Sequence, residues 1–368
     1  MCIRDRTRAE RHARGFTCWG QFVSMLFCQL GRAHSLREIT NGLRSCEGKL
    51  KHLGITAPNR STLSYANEHR PWELYQKVFF SLLERCRHQI TGRKKLNFKN
   101  KLVSLASTTI DLCLSMYDWA KFRRTKGAVK LHLVLDHDGY LPSFAVITDG
   151  LCHDVKVAYT LKFDPGTVVV DDRGYNDYHL FAKWTEDEVF FVTRQKGNAT
   201  YSVIESREGH VHPVLKDEII LLTGPGAAEK CPFPIRRIEF YNAEKEQVMV
   251  FLTNNMNLDA QTVADVYKDR WQIELFFKAL KQNLKIKTFV GTTSNAVKIQ
   301  IWTALVAMLI LRYCQLKASF RWSLSNLVAL LRMNLFTHRD LWRWLDEPYE
   351  TPPIPYAQEQ MRLSLIHI

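Results

Sequence analysis

Four side chains in the last third of the chain are spaced to share one side of a helix. Tyr267, Arg270, Glu274 and Lys281 lie at offsets of three, seven and fourteen, and at ~100° per residue these directions fall within about 60° of one another. Val266, Ile273, Phe277, Leu280 and Leu284 can pack elsewhere on the same helix. Charge pattern alone reads this stripe as a solvated, salt-bridged face, so its chemistry depends on what the rest of the chain brings to it. About a hundred residues earlier, the buried-strand pattern Thr167–Val170 ends in Asp171 and Asp172, which strand alternation sends to opposite faces. Acids remote in sequence that meet in space can grip a pair of divalent cations. Such a pair clamps the attacking and leaving oxygens of a phosphoryl displacement.

The elements that must position these residues change in texture along the chain. From Phe16 to about Arg87 the pattern is helical, with Ser35 and Glu38 spaced as a helix cap and Pro58–Leu63 reading as a turn into a short helix. A longer helix follows from Pro71. Arg60, His69 and Arg70 near one junction suit either a helix-turn-helix-like DNA reader or an ordinary bundle with solvated arginines. A basic linker, Arg87–Lys101, precedes three strands at Leu102–Leu112, Gly127–Leu135 and Leu141–Thr148, with a turn at Asp138-Gly139. Then come a helix over His153–Leu161, the strand Thr167–Val170, a helix over Tyr175–Trp184 and a strand at Val189–Thr193. Tyr201–Thr253 is rich in strands and turns. The periodicity after it reads as one long helix from about Leu258 to Leu284, followed by helices near Ala296–Leu316, Ser323–Leu331 and Asp340–Leu345.

Composition narrows the partners. The 368 residues carry a formal charge of +14 and a pI of about 9.3, a field that suits a polyanion because each neutralised phosphate releases counterions. Nine cysteines are scattered with no C-x-x-C pair, which fits reduced thiols and neither a zinc cage nor a disulfide framework. Ile299–Leu311 is the longest strongly apolar stretch and reads as a buried core helix, too short to span a bilayer. No signal peptide is expected, and the location is expected to be cytoplasmic. Residues 1–6 and 363–368 resemble translated sequencing-adapter fragments and are set aside.

Three separated segments agree in order and spacing with one family. The Tyr267-x2-Arg270-x3-Glu274-x6-Lys281 pattern resembles the Y-R-E-K signature of the insertion sequence four group of DDE transposases. The wording STTIDLCLSMYDWAKFRRTKGAVKLHLVLDHDGYLPSF and VVVDDRGYNDY is similar to the same group. The resemblance implies an α/β mixed fold: a ribonuclease-H-like catalytic core with a β-strand insertion, plus an N-terminal helical domain and C-terminal helices. The implied layout is a DNA-binding domain at 7–92, a core at 100–200 and 254–318, the insertion at 201–253 and a helical region at 319–362. It implies that Asp172, directly before Arg173-Gly174-Tyr175, and Glu274 are catalytic and metal-binding, with Asp171 as the fallback. It further implies that Tyr267, Arg270 and Lys281 hold phosphates, with Arg173 and Lys130 as further DNA contacts. Lys130 and His132 share a strand face and His153-Asp154 opens a helix, which also suits core or cap satisfaction. Trp119, Trp271 and Trp302 are expected to pack.

The first carboxylate of this family opens a D-S-T motif, and this chain reads Ala106-Ser107-Thr108. Asp111 is a poor substitute: five residues on, it stands ~16 Å away along an extended strand and on the opposite face. The resemblance implies cut-and-paste transposition with two magnesium ions (manganese as a substitute), acting on transposon ends and target DNA as a synaptic homodimer away from any membrane. The alanine at 106 leads to an expectation of impaired cleavage, or of a derivative that binds DNA without cutting.

Overall fold

The computed structural model describes residues 9–10, 15–90, 100–123, 126–337 and 339–350. Both hexapeptides set aside above, most of the basic linker and the end of the C-terminal region lie outside the described residues. The described residues open with helices α1 (Cys18–Gly31), α2 (Leu36–Ser45), α3 (Glu47–Leu50), α4 (Arg60–His69) and α5 (Glu73–Ile90). Then follow β1 (Leu102–Leu112), β2 (Lys121–Arg123), β3 (Lys126–Asp136), β4 (Leu141–Asp149), α6 (Asp154–Ala158), β5 (Val168–Val170), α7 (Tyr178–Glu186) and β6 (Phe190–Arg194). Residues 201–253 contribute β7 (Tyr201–Ser206), β8 (Val214–Leu222), α8 (Ala227–Lys230), β9 (Ile235–Asn242) and β10 (Gln247–Thr253). Helices α9 (Ala260–Asp269), α10 (Trp271–Asn283), α11 (Ser294–Lys317), α12 (Leu324–Met333) and α13 (Leu341–Asp346) follow, up to the end of the described residues.

Among the described residues, all ten strands join one sheet. β3 pairs antiparallel with β1 on one side and with β2 and β4 on the other. β1, β5 and β6 run parallel, in the registers Ser104↔Val170 and Val170↔Val192. Gly139 (φ 81°) and Tyr140 (φ 54°) turn the chain between β3 and β4, a conformation that glycine adopts without steric cost. The order β4-β3-β1-β5-β6, with its last three strands parallel, is the ribonuclease-H-like arrangement. Residues 201–253 continue that same sheet, because β10 pairs antiparallel with β6 and carries β9, β8 and β7 outward.

Strand alternation divides the core. Ala106, Ile110 and Leu112 of β1 pack with Ile273, Phe276 and Leu280 of α10 and with α11. Val103 and Leu105 pack with Leu180, Phe181 and Trp184 of α7. A sheet covered on both faces needs this double set of apolar residues. α11 extends past the apolar stretch at both ends. It is long and apolar enough to cross a membrane by length and composition, yet 78% of its apolar window is buried inside the protein, as a core helix should be.

One expectation needs correction: the single helix over 258–284 is two. At Arg270 the bonds shorten to Arg270 N→Tyr267 O (3.2 Å) and Ile273 N→Arg270 O (3.1 Å), the i to i−3 pattern of a tightened turn. Arg270 keeps helical dihedrals. A side-chain period does not register one tightened turn, so the stripe reads as continuous in sequence while its two halves belong to different helices.

Candidate active site

Extending the two parallel registers by two residues puts Ala106, Asp172 and Arg194 level across β1 and the ends of β5 and β6. Ala106 is 2% exposed and belongs to the apolar cluster beneath α10. Asp111, of the opposite parity, is exposed.

Asp172 is half-buried and caps the turn Arg173–Tyr175: its Oδ1 accepts from Gly174 N at 2.7 Å. A Cβ on Gly174 would stand 2.9 Å from that oxygen, so a larger residue there would have to displace the Asp172 carboxylate. Asp171 is fully buried and neither carboxylate oxygen has a hydrogen-bond partner. Burial pushes its pKa well above the usual carboxylate range; Thr193 and Arg270 oppose that rise and the Asp172 charge adds to it.

Tyr267 and Glu274 meet at Arg270. Its Nη1 lies 3.1 Å from Glu274 Oε1, and its Cζ lies 5.4 Å from the centre of the Tyr267 ring. The Tyr267 ring in turn sits 5.0 Å from Phe251 of β10, so the sheet fixes the tyrosine. Burial works against the Arg270 charge, but Tyr267, Glu274 and Asp172 outweigh it and hold the guanidinium above its ordinary pKa. Burial also raises the Tyr267 hydroxyl, against the pull of Arg270 and Arg194. Lys281 donates to Thr109 O at 3.0 Å, which brings the C-terminal end of α10 to β1. Burial lowers its pKa, with Asp111 opposing.

Arg194 was not anticipated from sequence. Its Nε is buried without a partner; burial lowers its pKa, and the like charges of Arg173 and Arg270 add to the effect while Tyr267 opposes it. Guanidiniums that crowd one another beside Asp172 and Glu274 make a spot suited to a phosphate. Only the strand register reveals Arg194, since nothing in its local sequence links it to Asp172.

Lys130 lies in a network that abuts the turn after Asp172, where a Cβ on Gly174 would stand 3.9 Å from Asp154 Oδ2. Its Nζ donates to Cys152 O (2.8 Å) and Asp154 Oδ1 (3.2 Å), and Ser107 Oγ donates to the same Asp154 oxygen at 2.8 Å. His132 stands 3.6 Å from that oxygen through Nδ1, and burial lowers its pKa to about 4. The Lys130 charge is therefore taken up by protein groups. Among the tryptophans, Trp302 is buried and Trp119 donates to Thr292 O, whereas Trp271 is 57% exposed beside the signature.

Asp172 and Glu274 supply two carboxylates. Among the described residues no three His, Cys, Asp or Glu side chains converge as an ion would require. Hard divalent cations take their shell from several oxygens, and Ala106 contributes none. The residues present do not make up a two-ion centre.

Residues 99–310 match the family described as transposase DDE domain, and residues 2–56 match one described as a domain of unknown function. A Sinorhizobium fredii protein named as a transposase, y4zB, is 30% identical over 84% of this chain and 85% of its own length. A Geobacillus stearothermophilus protein named as the transposase for insertion sequence element IS5377 is 30% identical over 74% of this chain and 72% of its own. Among solved structures, piggyBac transposase in a synaptic complex with hairpin DNA aligns at a TM-score of 0.46 and 8% identity, covering 92% of this chain and 73% of that one.

Proposed function

Because the chain belongs to the DDE transposase family, we propose that it is a cut-and-paste transposase of the insertion sequence four group whose cleavage step is impaired by Ala106. The observation that carries this reading is the convergence on Arg270, which pairs with Glu274 and lies over the Tyr267 ring, with Ala106, Asp172 and Arg194 level on the neighbouring strands. Asp172 and Glu274 are the remaining acids of the catalytic set. Tyr267, Arg270, Lys281 and Arg173 hold the phosphates of the element end, and Arg194 joins them. Lys130 acts through Asp154 as support.

The reaction hydrolyses a phosphodiester at the element end and then joins the freed 3′-hydroxyl to a second strand. Magnesium, two ions by the family pattern, would require an acid at 106 as well as Asp172 and Glu274, and no step through metal is assigned to the chain with alanine there. Residues 7–92 form the DNA-binding part, 100–200 and 254–318 the catalytic core, 201–253 the insertion and 319–362 the C-terminal region. The working form is a homodimer on transposon ends and target DNA, in the bacterial cytoplasm. Ala106 equally favours a second reading, a transposase derivative that occupies element ends without cutting.

One comparison separates the two. Duplexes carrying the element ends, recovered with the genomic locus, are incubated with magnesium and either the natural chain or Ala106→Asp. Cutting by the aspartate variant alone supports the damaged-enzyme reading, and binding without cutting by both supports the derivative. Equal cutting by both would refute the placement of the missing acid at 106. In the Ala106→Asp background, Glu274→Gln is expected to abolish cutting, at least ~100-fold, while DNA affinity stays within about threefold. Retained cutting would remove Glu274 from the site.

A further inference from the structure

Helix α4 is held rigidly from behind and bare in front. Leu63 and Ala66 are buried, and Asn67 is pinned by Gln21 Nε2 (2.8 Å) and, through its carbonyl, by Asn295 Nδ2 (2.8 Å). On the opposite side Arg60, Ser61, Ser64 and Tyr65 are exposed, Tyr65 at 65%. The Arg60, Ser61 and Ser64 side chains make no hydrogen bond to other described residues. Tyr65 is stiffened by His69, stacked at 3.9 Å. α2 packs beside α4 through Ile39, Leu43 and Leu63 and exposes Arg37 and Arg44. Arg70 takes no part in this face: it is tied to Thr17 O (2.9 Å), Gln21 Oε1 (3.2 Å) and Phe16 O.

We infer that α4 enters the major groove of duplex DNA and reads its sequence, with Arg37 and Arg44 of α2 on the flanking phosphates. This rests on the transposase reading above and names, within residues 7–92 proposed there to bind DNA, the helix and side chains that read sequence. Ten residues of helix span ~15 Å, and a groove about 12 Å wide admits one helix. Hydroxyls and an arginine on the first turns present the donors and acceptors that base edges require, and arginines on the preceding helix complement the backbone charge. Glu68 is also exposed on α4, near the end where a recognition helix leaves the groove.

The test selects from a pool of random-sequence duplexes with the full chain, and repeats the selection with Arg60→Ala/Ser64→Ala/Tyr65→Ala. All three residues are exposed, so the melting curve should be unchanged, which makes a folding failure visible. The natural chain is expected to enrich one motif. The triple variant should prefer that motif at least about tenfold less strongly, while keeping its affinity for unselected duplex within about threefold. An unchanged motif preference overturns the inference and leaves the transposase reading intact, as does enrichment of no motif by a chain that still binds duplex. Failure of the natural chain to bind any duplex overturns both.

Discussion

Asp171 lies fully buried beside the candidate site, and burial, against the opposing pull of Thr193, raises its carboxyl pKa well above the usual range. The unfolded chain releases this proton above about pH 4, and the folded chain releases it only at higher pH. The folded state therefore binds more protons, and stability falls as pH rises toward the raised folded value. Asp171→Asn should remove that slope. Chemical denaturation between pH 5 and 8 is expected to show the variant gaining up to about 1.4 kcal/mol per pH unit over the natural chain; a constant difference would refute a neutral carboxyl. His132 runs the other way. Its folded pKa of about 4 lies below the unfolded value, so its contribution is complete above about pH 6.5 and is lost as pH falls toward 4. At this scale the sequence marks the chemical types well. The D-R-G-Y wording picks out Asp172, and strand parity separates it from Asp171. Arg194 stays hidden, because its place beside Asp172 depends on the pairing of β5 with β6.

Among the elements, the turn after β5 and the strands beyond β6 carry separate predictions. Gly174→Ala forces a methyl against Asp172 Oδ1. In the Ala106→Asp background it is expected to cut at least ~10-fold more slowly, with stability lower by about 1–2 kcal/mol; wild-type rates would mean that the turn yields freely. In the outer strands, Arg236 and Asp217 form a buried two-bond pair (2.8 and 2.5 Å), and Arg236 also reaches Leu258 O just before α9. Asp217→Ala leaves that guanidinium unpaired, so urea denaturation should show a loss of about 3–5 kcal/mol. A loss below ~1 kcal/mol would mean that water replaces the carboxylate. Strand limits and helix caps are legible here. Leu102–Leu112 reads directly as a strand, and Ser35 accepts from Glu38 N at 3.2 Å as its spacing promised. The break at Arg270 is invisible to a periodic pattern.

At the scale of the molecule, the N-terminal helices are knitted to the C-terminal half. Gln29 of α1 bonds to Gln300 O (3.3 Å) and Lys285 N (2.8 Å). Gln300 of α11 donates to Lys285 O (2.6 Å) and Thr288 O (2.8 Å) and accepts from Val290 N (3.0 Å). Gln300→Leu leaves those backbone groups without their partner at ~1–3 kcal/mol each. Helical and near-ultraviolet signals are expected to melt together, several degrees lower; separate transitions would show that the two parts fold independently. By itself the sequence determined the order of elements, the buried faces, the basic surface and the residues at which chemistry is possible, because period, charge and spacing are local properties. Only the tertiary structure decided that Glu274 pairs with Arg270, that Lys130 pairs with Asp154, and that residues 201–253 lengthen the one sheet. The last two are pairings between distant segments, set by strand register and by which face each helix buries, and no local pattern encodes them.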